Sequence, residues 1–373
     1  MFEDIQVPDA VQLPKGKRAC RRKADELRAA YRLHRQFAAF AEETDESPHW
    51  QPQPGQRKLF DVTELAEKKE WLGALAGDNQ RALLKSLDKL DKAGPWRNIA
   101  KAPPPEALDS LHADFPNFSA VTTLLGQRLL LCGLAPDKHI KLPPILLNGP
   151  AGVGKTAYCT RLAGLLALRF EKIDLSSAVA AFTMTGLDAG YGSGHPGRIW
   201  ESLQHDSLSV LWLLDEVEKA SQESRHGGNQ FLLGLLEPVS AARFVDNCTL
   251  VPIDTSWICY IATCNDKTLI DTPLLSRFEV FDIPAPDALQ LRAIVCSIYR
   301  ELRSSEAWAG AFCESLDGGV IDALSGYTPR EIRRRLIDGF AAAAGQSRRA
   351  LQASDISVKA DRQTHAGRRI GFI

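Results

Sequence analysis

Net charge is almost absent from this chain: 45 Lys and Arg stand against 46 Asp and Glu in 373 residues, a formal balance of −1. No global field is therefore available to draw in nucleic acid or an anionic lipid surface. The eight cysteines, Cys20, Cys132, Cys159, Cys248, Cys259, Cys264, Cys296 and Cys313, include no C-x-x-C pair. Several of them lie in apolar segments, as reduced buried thiols do. The first residues, MFEDIQVPDA, lack the basic-then-apolar pattern of a secretory signal, and no apolar run approaches membrane-spanning length. Internal repeats are missing too. With these classes set aside the chain reads as cytosolic, with no membrane partner, and it is long enough for two or three domains around a large core.

What is present falls into distinct parts. Apolar residues at helical spacing (Leu27, Ala30, Tyr31, Phe37, Ala38 and Ala41) predict a helix over Ala24–Glu43. A Pro/Gln/Gly connector follows at Ser47–Gln56. Amphipathic patterns near Val62–Ala76 and Asn79–Lys92 then end at the breaker Gly94-Pro95. Residues 1–100 accordingly read as an N-terminal helical region, and the prolines of Ala102–Pro105 mark its boundary. From there to residue 284, apolar strand-like runs alternate with helical patterns. They are PILLN at Pro144–Asn148, then Phe170–Leu175, Ser209–Leu214, Trp257–Thr263 and Glu279–Ile283. Strands separated by helices predict an α/β class, with a parallel sheet covered on both faces. Residues 285–358 are helical in pattern, and 359–373 form a basic tail.

The octapeptide GPAGVGKT at Gly149–Thr156 carries the most chemistry. It stands between the PILLN strand and a helix expected over Ala157–Phe170. A glycine-rich turn in that setting points backbone N–H groups and the positive end of a helix dipole at a polyphosphate. Gly149, Pro150, Ala151, Gly152, Val153 and Gly154 would wrap the phosphates. Lys155 reaches the β and γ phosphates, Thr156 offers a hydroxyl to Mg²⁺, and Ala157 continues the helix. Downstream, the buried run Val210–Leu214 delivers Asp215 and Glu216 to the C-terminal edge of a strand. Asp215 suits the Mg²⁺ shell, and Glu216 suits polarisation of an attacking water. Asn265 ends the strand WICYIATCN, beside the γ-phosphate position. Arg277 follows an apolar turn, where it could be offered to a neighbouring subunit's γ-phosphate. In YTPREIRRRL, Arg330 stands near the first turn of a helix, with Arg333 and Arg334 on the same face. One of these arginines can sense nucleotide from the helical part.

Two other stretches invite different readings. Gly192–Gly197 fits G-x-G-x-x-G, but no strand precedes it and no β-α-β unit surrounds it, so a dinucleotide fingerprint is rejected. Lys15–Lys23 packs six positive charges into nine residues. That could touch nucleic-acid phosphates, but no aromatic platform is interleaved with it, and a solvated helix start is favoured.

Phosphate loop, acidic strand, asparagine, arginine finger and helical lid together resemble an AAA+ ATPase, and most closely the ATPase part of Lon proteases. The segments carrying the likeness are GPAGVGKT, GYGSGHPGRI at Gly190–Ile199, LLDEVEK at Leu213–Lys219, LLGLLEP at Leu232–Pro238, ATCN and PLLSRFEV at Pro273–Val280. The resemblance implies an α/β/α parallel sheet followed by a helical lid. It implies nucleotide binding at Gly149–Thr156, Mg²⁺ at Asp215 and a catalytic Glu216. It also implies a sensor at Asn265, a trans-acting Arg277 and a second sensor at Arg330. Tyr191 matches the pore-loop aromatic that grips a polypeptide. The next residue departs from the pattern, because Gly192 stands where a bulky aliphatic is usual, and the pair buries less apolar surface. About thirty residues follow the last lid helix, fewer than an independent domain needs. No serine–lysine peptidase motif appears among them, so the expectation is a Lon-type motor without its protease.

The expected function is therefore Mg²⁺-dependent ATP hydrolysis in a ring-shaped homo-oligomer, a hexamer, that remodels or unfolds a protein substrate. A nucleic-acid motor or loader, drawing on Lys15–Lys23 and on Arg362, Arg368 and Arg369, is one alternative. A nucleotide-controlled switch that recruits partners is the other.

Overall fold

The computed structural model describes residues 51–73, 78–176, 180–188, 194–222 and 230–356. The expected helix over Ala24–Glu43, the cluster Lys15–Lys23, Tyr191 and the basic tail lie outside the described residues. Strand β1 (Gln56–Lys58) pairs antiparallel with β2 (Trp96–Asn98). Between them run helices α1 (Val62–Gly73) and α2 (Asp78–Lys92). Helix α3 (Ser119–Leu134) leads to β3 (Ile145–Asn148), α4 (Lys155–Leu165) and β4 (Arg169–Asp174). Next come β5 (Val210–Asp215), α5 (Val217–Gln222) and α6 (Gln230–Leu236). A two-residue pair, β6 (Phe244–Val245) with β7 (Pro252–Ile253), precedes β8 (Cys259–Cys264) and β9 (Glu279–Asp282).

The main sheet has the order β4-β5-β8-β3-β9, and every neighbouring pair is parallel. A parallel sheet is covered on both faces, so its central strands are apolar at consecutive positions rather than at alternate ones. The strand period of two sorts those positions into separate cores. Val210, Trp212 and Leu214 of β5 join Leu146, Tyr260 and Ala262 on one face. Leu211 and Leu213 join Ile145, Leu147, Cys259 and Ile261 on the other. Helices α3 and α4 cover the second face through Val121, Leu125, Leu129, Tyr158 and Leu162. The first face is covered in part by Leu65, Leu72, Leu83, Leu87 and Leu90 of α1 and α2. Residues of the N-terminal stretch 56–99 thus share a core with the sheet. The architecture is a three-layer α/β/α fold followed by a helical lid.

One expected element needs correction. The helix predicted over Ala157–Phe170 begins at Lys155 and stops at Leu165. Ala167 turns left-handed (φ 52°) and the Leu168 N–H returns to the Ala163 carbonyl at 2.9 Å. Arg169 already pairs with Val210 across the sheet. No glycine marks this stop, because sheet pairing of the next six residues imposes it.

After Pro284–Pro286 the lid packs around its own core. Helix α7 (Ala288–Ser305) begins with a capping box, in which the Asp287 side chain and the Gln290 amide each satisfy the other's backbone N–H. Thr328 and Glu331 repeat the device at the start of α9 (Pro329–Gly345), which follows the short α8 (Gly318–Leu324). Phe340 is the hub. It is 1% exposed, stacked on Tyr299 at 5.3 Å and edge-on to Phe312 at 4.8 Å and Trp308 at 5.3 Å. Truncation to alanine removes the transfer energy and leaves a cavity no single neighbour can refill. Phe340→Ala is expected to cost the lid about 3–5 kcal/mol, read as a lowered urea midpoint of unfolding.

Candidate functional site

The C-terminal ends of β3, β5 and β8 open into a cavity of about 330 Å³ whose far wall is the lid. That volume lies at the lower end of the range for small-ligand sites. Its floor is the loop between β3 and α4. Gly149 admits no side chain: a Cβ there would lie 2.5 Å from the Ile283 carbonyl oxygen. The Gly149 N–H also donates to the Cys264 carbonyl at 3.2 Å, so the loop's first residue is pressed between β8 and the end of β9. Gly154 has φ 107°, a conformation in which a Cβ is strained, and α4 starts immediately after it. No side chain caps α4. Its first N–H groups and the positive end of its dipole are left for an acceptor in the cavity. A helix start of this kind fits a polyphosphate.

The expected residues divide into those the cavity gathers and those it does not. Ala151, Gly152, Val153, Gly154, Lys155, Thr156 and Ala157 line it from the loop and α4, and Asp215, Glu216 and Asn265 from the strand ends. Arg330 and Arg333 line it from the lid, and the Arg330 Cβ lies 3.9 Å from where a Cβ on Gly152 would be. Gly149 and Pro150 stand outside the lining, and Arg277 is not part of it. The Arg277 guanidinium instead pairs with Glu237 at 2.6 Å, on a side chain 43% exposed.

The charged groups are tightly partnered. The Lys155 ammonium donates to the carbonyls of Gly149, Pro150 (3.3 Å) and Cys264 (3.1 Å) and to Asn265 Oδ1 (3.3 Å). Burial lowers its pKa, against the opposing pull of Cys264 and of the carboxylates of Glu218, Asp215 and Glu216. Asp215 pairs with Lys172 at 2.6 Å through one oxygen and accepts from the Thr263 hydroxyl through the other. Thr263 also accepts the Glu216 N–H at 3.3 Å, so it ties the two acids to β8. Glu216 adopts φ 58°, in the left-handed region that L-residues rarely occupy outside turns and functional sites. That turn swings the chain from β5 into α5 and sets the Glu216 side chain at the cavity. Thr156 and Asp215 supply the hard oxygen donors that Mg²⁺ takes.

Several participants escaped the sequence reading. Phe115, Ile294 and Ile298 add apolar wall to the cavity, and Ser297 binds Asp114 at 2.8 Å across the junction with the lid. These come from segments far apart in the chain, with no common motif. Thr263 left a faint signal, as the one hydroxyl in an otherwise apolar strand end. Glu218 left none, since an acid in the first turn of a helix is an ordinary dipole partner.

Residues 145–283 match the ATPase family associated with various cellular activities (AAA). Lon protease 1 of Thermus thermophilus is 28% identical over 307 residues, 76% of this chain and 38% of that protein. The peroxisomal Lon protease homolog 2 of Zea mays is 30% identical over 210 residues, 55% of this chain and 23% of that protein. The chain therefore spans well under two thirds of the length of these relatives. Among solved structures, the RuvB Holliday junction branch migration motor of Thermotoga maritima aligns with a TM-score of 0.41 and 14% identity over 64% of this chain and 66% of that one.

Glu216→Gln keeps the shape of the side chain and removes its basicity. ATP turnover is expected to fall by about 10²–10⁴-fold while the affinity for a fluorescent ATP analogue stays at the wild-type value. Lys155→Met is expected to lose the binding itself. Turnover by Glu216→Gln at the wild-type rate would contradict the assignment.

Proposed function

We propose that this chain, whose residues 145–283 match the AAA ATPase family and which is similar to Lon proteases, hydrolyses ATP at a site completed by a second copy of itself, within a ring-shaped homo-oligomer that remodels or unfolds protein. The observation carrying this reading is the position of Arg277. Every other charged or polar group expected at the γ-phosphate lines one cavity, whereas Arg277 points elsewhere and pairs with Glu237. A guanidinium held outside its own chain's site is available to a neighbour's.

In this reading Lys155 exchanges backbone carbonyls for phosphate oxygens, trading neutral partners for charged ones. Thr156 and Asp215 would hold Mg²⁺, which when bound offsets negative charge on the phosphates. Glu216 takes a proton from the attacking water, and Asn265 orients that water. The neighbour's Arg277 meets the charge that develops as the terminal phosphoryl transfers. Arg330 and Arg333, on the first turns of α9, connect the same charge to the lid. The lid and the α/β layer also meet at Asp114, which binds Ser297 at 2.8 Å and Arg300 at 3.3 Å. A change in charge between them can alter the lid angle, and such movement repeated around a ring does work on a bound polypeptide. Tyr191 is the residue proposed to touch that polypeptide.

Mixing two inactive variants tests the shared site. Arg277→Ala should lower turnover by about 10³–10⁵-fold, and Glu216→Gln should be inactive as well. Combined in equal amounts, they should regain measurable ATPase activity, because some sites then pair an intact Glu216 with an intact Arg277. Light scattering with ATP should report a ring of several copies. A particle that stays monomeric with ATP, or a mixture with no recovery, overturns the shared-site reading.

A further inference from the structure

Glu218 is a buried acid beside the cavity. It is 2% exposed, and its Oε2 has no hydrogen-bond partner. Its Oε1 accepts from the Asn265 backbone N–H at 3.0 Å and from Asn265 Nδ2 at 3.3 Å. On the other side of the same amide, Asn265 Oδ1 accepts from Lys155 at 3.3 Å. A buried carboxylate oxygen left unpaired is destabilising, and an apolar residue of similar size would avoid the cost. Its retention here calls for a functional reason.

We infer that Glu218 is the positioning residue for Asn265: it fixes which way the asparagine amide faces. An ionised carboxylate can only accept hydrogen bonds. It therefore selects the rotamer that turns Nδ2 toward α5 and presents Oδ1, an acceptor, to the cavity beside Lys155. Without that constraint the amide orientation rests on the single 3.3 Å contact with Lys155, whose ammonium would turn to the phosphates in the hydrolytic reading, and the two ends of the amide have nearly the same shape. An acceptor at this point receives a hydrogen from the attacking water and aims its lone pair. A donor there would bind phosphate oxygen instead. The left-handed turn at Glu216 serves the same end, since it brings α5 back across the end of β8 and puts Glu218 within reach of Asn265. The inference rests on the hydrolytic reading above and adds the orientation of one of its groups.

The test is steady-state ATP hydrolysis by Glu218→Gln in the full chain. Glutamine preserves volume but can donate as well as accept, so both amide orientations become available. The expected result is a fall in kcat of about 10–100-fold, with KM for ATP and affinity for ADP unchanged. In an Asn265→Ala background the same substitution should cause no further loss, because the group it orients is gone. A purely structural role would move the melting temperature and not produce this dependence on Asn265. Glu218→Asp is the second variant, should the glutamine form fold poorly. It keeps the charge, falls one methylene short of Asn265, and should show the same loss confined to kcat. Unchanged kcat in the folded variants of an active chain overturns this inference alone, as does an equal fold-loss with and without Asn265. A wild-type chain that hydrolyses no ATP overturns the hydrolytic reading and this inference with it.

Discussion

The contact between Gly149 and the Ile283 carbonyl sets the geometry on which the rest of the site depends. Two strands flank β3, and the chain leaving β3 must pass between the ends of both before it can turn into α4. With a Cβ at Gly149 only 2.5 Å from that carbonyl, the passage is open to glycine alone. Once it is made, the loop is fastened to β8 through the Gly149 N–H and to the edge of the sheet at Ile283. The uncapped start of α4 is then held at a fixed distance from Asp215, Glu216 and Asn265. A looser passage would leave the same residues present but misplaced, and a displacement of about 1 Å can cost 10²-fold in rate.

Electrostatics around that fixed frame follow one pattern. Each charge proposed to meet substrate or metal has a partner that can be exchanged. Lys155 rests on carbonyls, Asp215 on Lys172 and Thr263, and Arg277 on Glu237. The arrangement limits the desolvation cost of an active site in which several acids and bases converge. Thr263 links the pattern to the fold, because one buried hydroxyl touches both Asp215 and Glu216. The lid contributes Arg330 and Arg333, and it is stabilised separately by a cluster centred on Phe340. Its core is separate from those of the sheet, the property needed of a part proposed to move against the sheet.

Much of this was legible in the residues. The phosphate loop is a local device: glycines at fixed spacing, a lysine and a hydroxyl act within one turn, so eight residues suffice to display it. The buried strands were legible for a different reason. A parallel strand covered on both faces has no polar alternation, and VLWLL announces that burial by composition alone. What the residues concealed depended on pairing between distant segments. The end of α4 was misplaced because β4 must begin at Arg169 to pair with β5. The role of residues 56–99 as a cover for one face of the sheet was hidden because amphipathic helices show that they have an apolar side but not what meets it.

The sequence by itself determined the chemistry available, namely which groups can cradle phosphate, ligate a divalent cation, take a proton or offer a guanidinium, because these are properties of side chains at short spacing. Only the tertiary structure decided which of them converge. It brought Glu218 under Asn265 and set both beside Lys155, and it tied Asp215 to Lys172. It left Arg277 outside the cavity of its own chain. Those are distances between residues tens to more than a hundred positions apart, and they are set by sheet order and helix packing, which no local pattern of residues encodes.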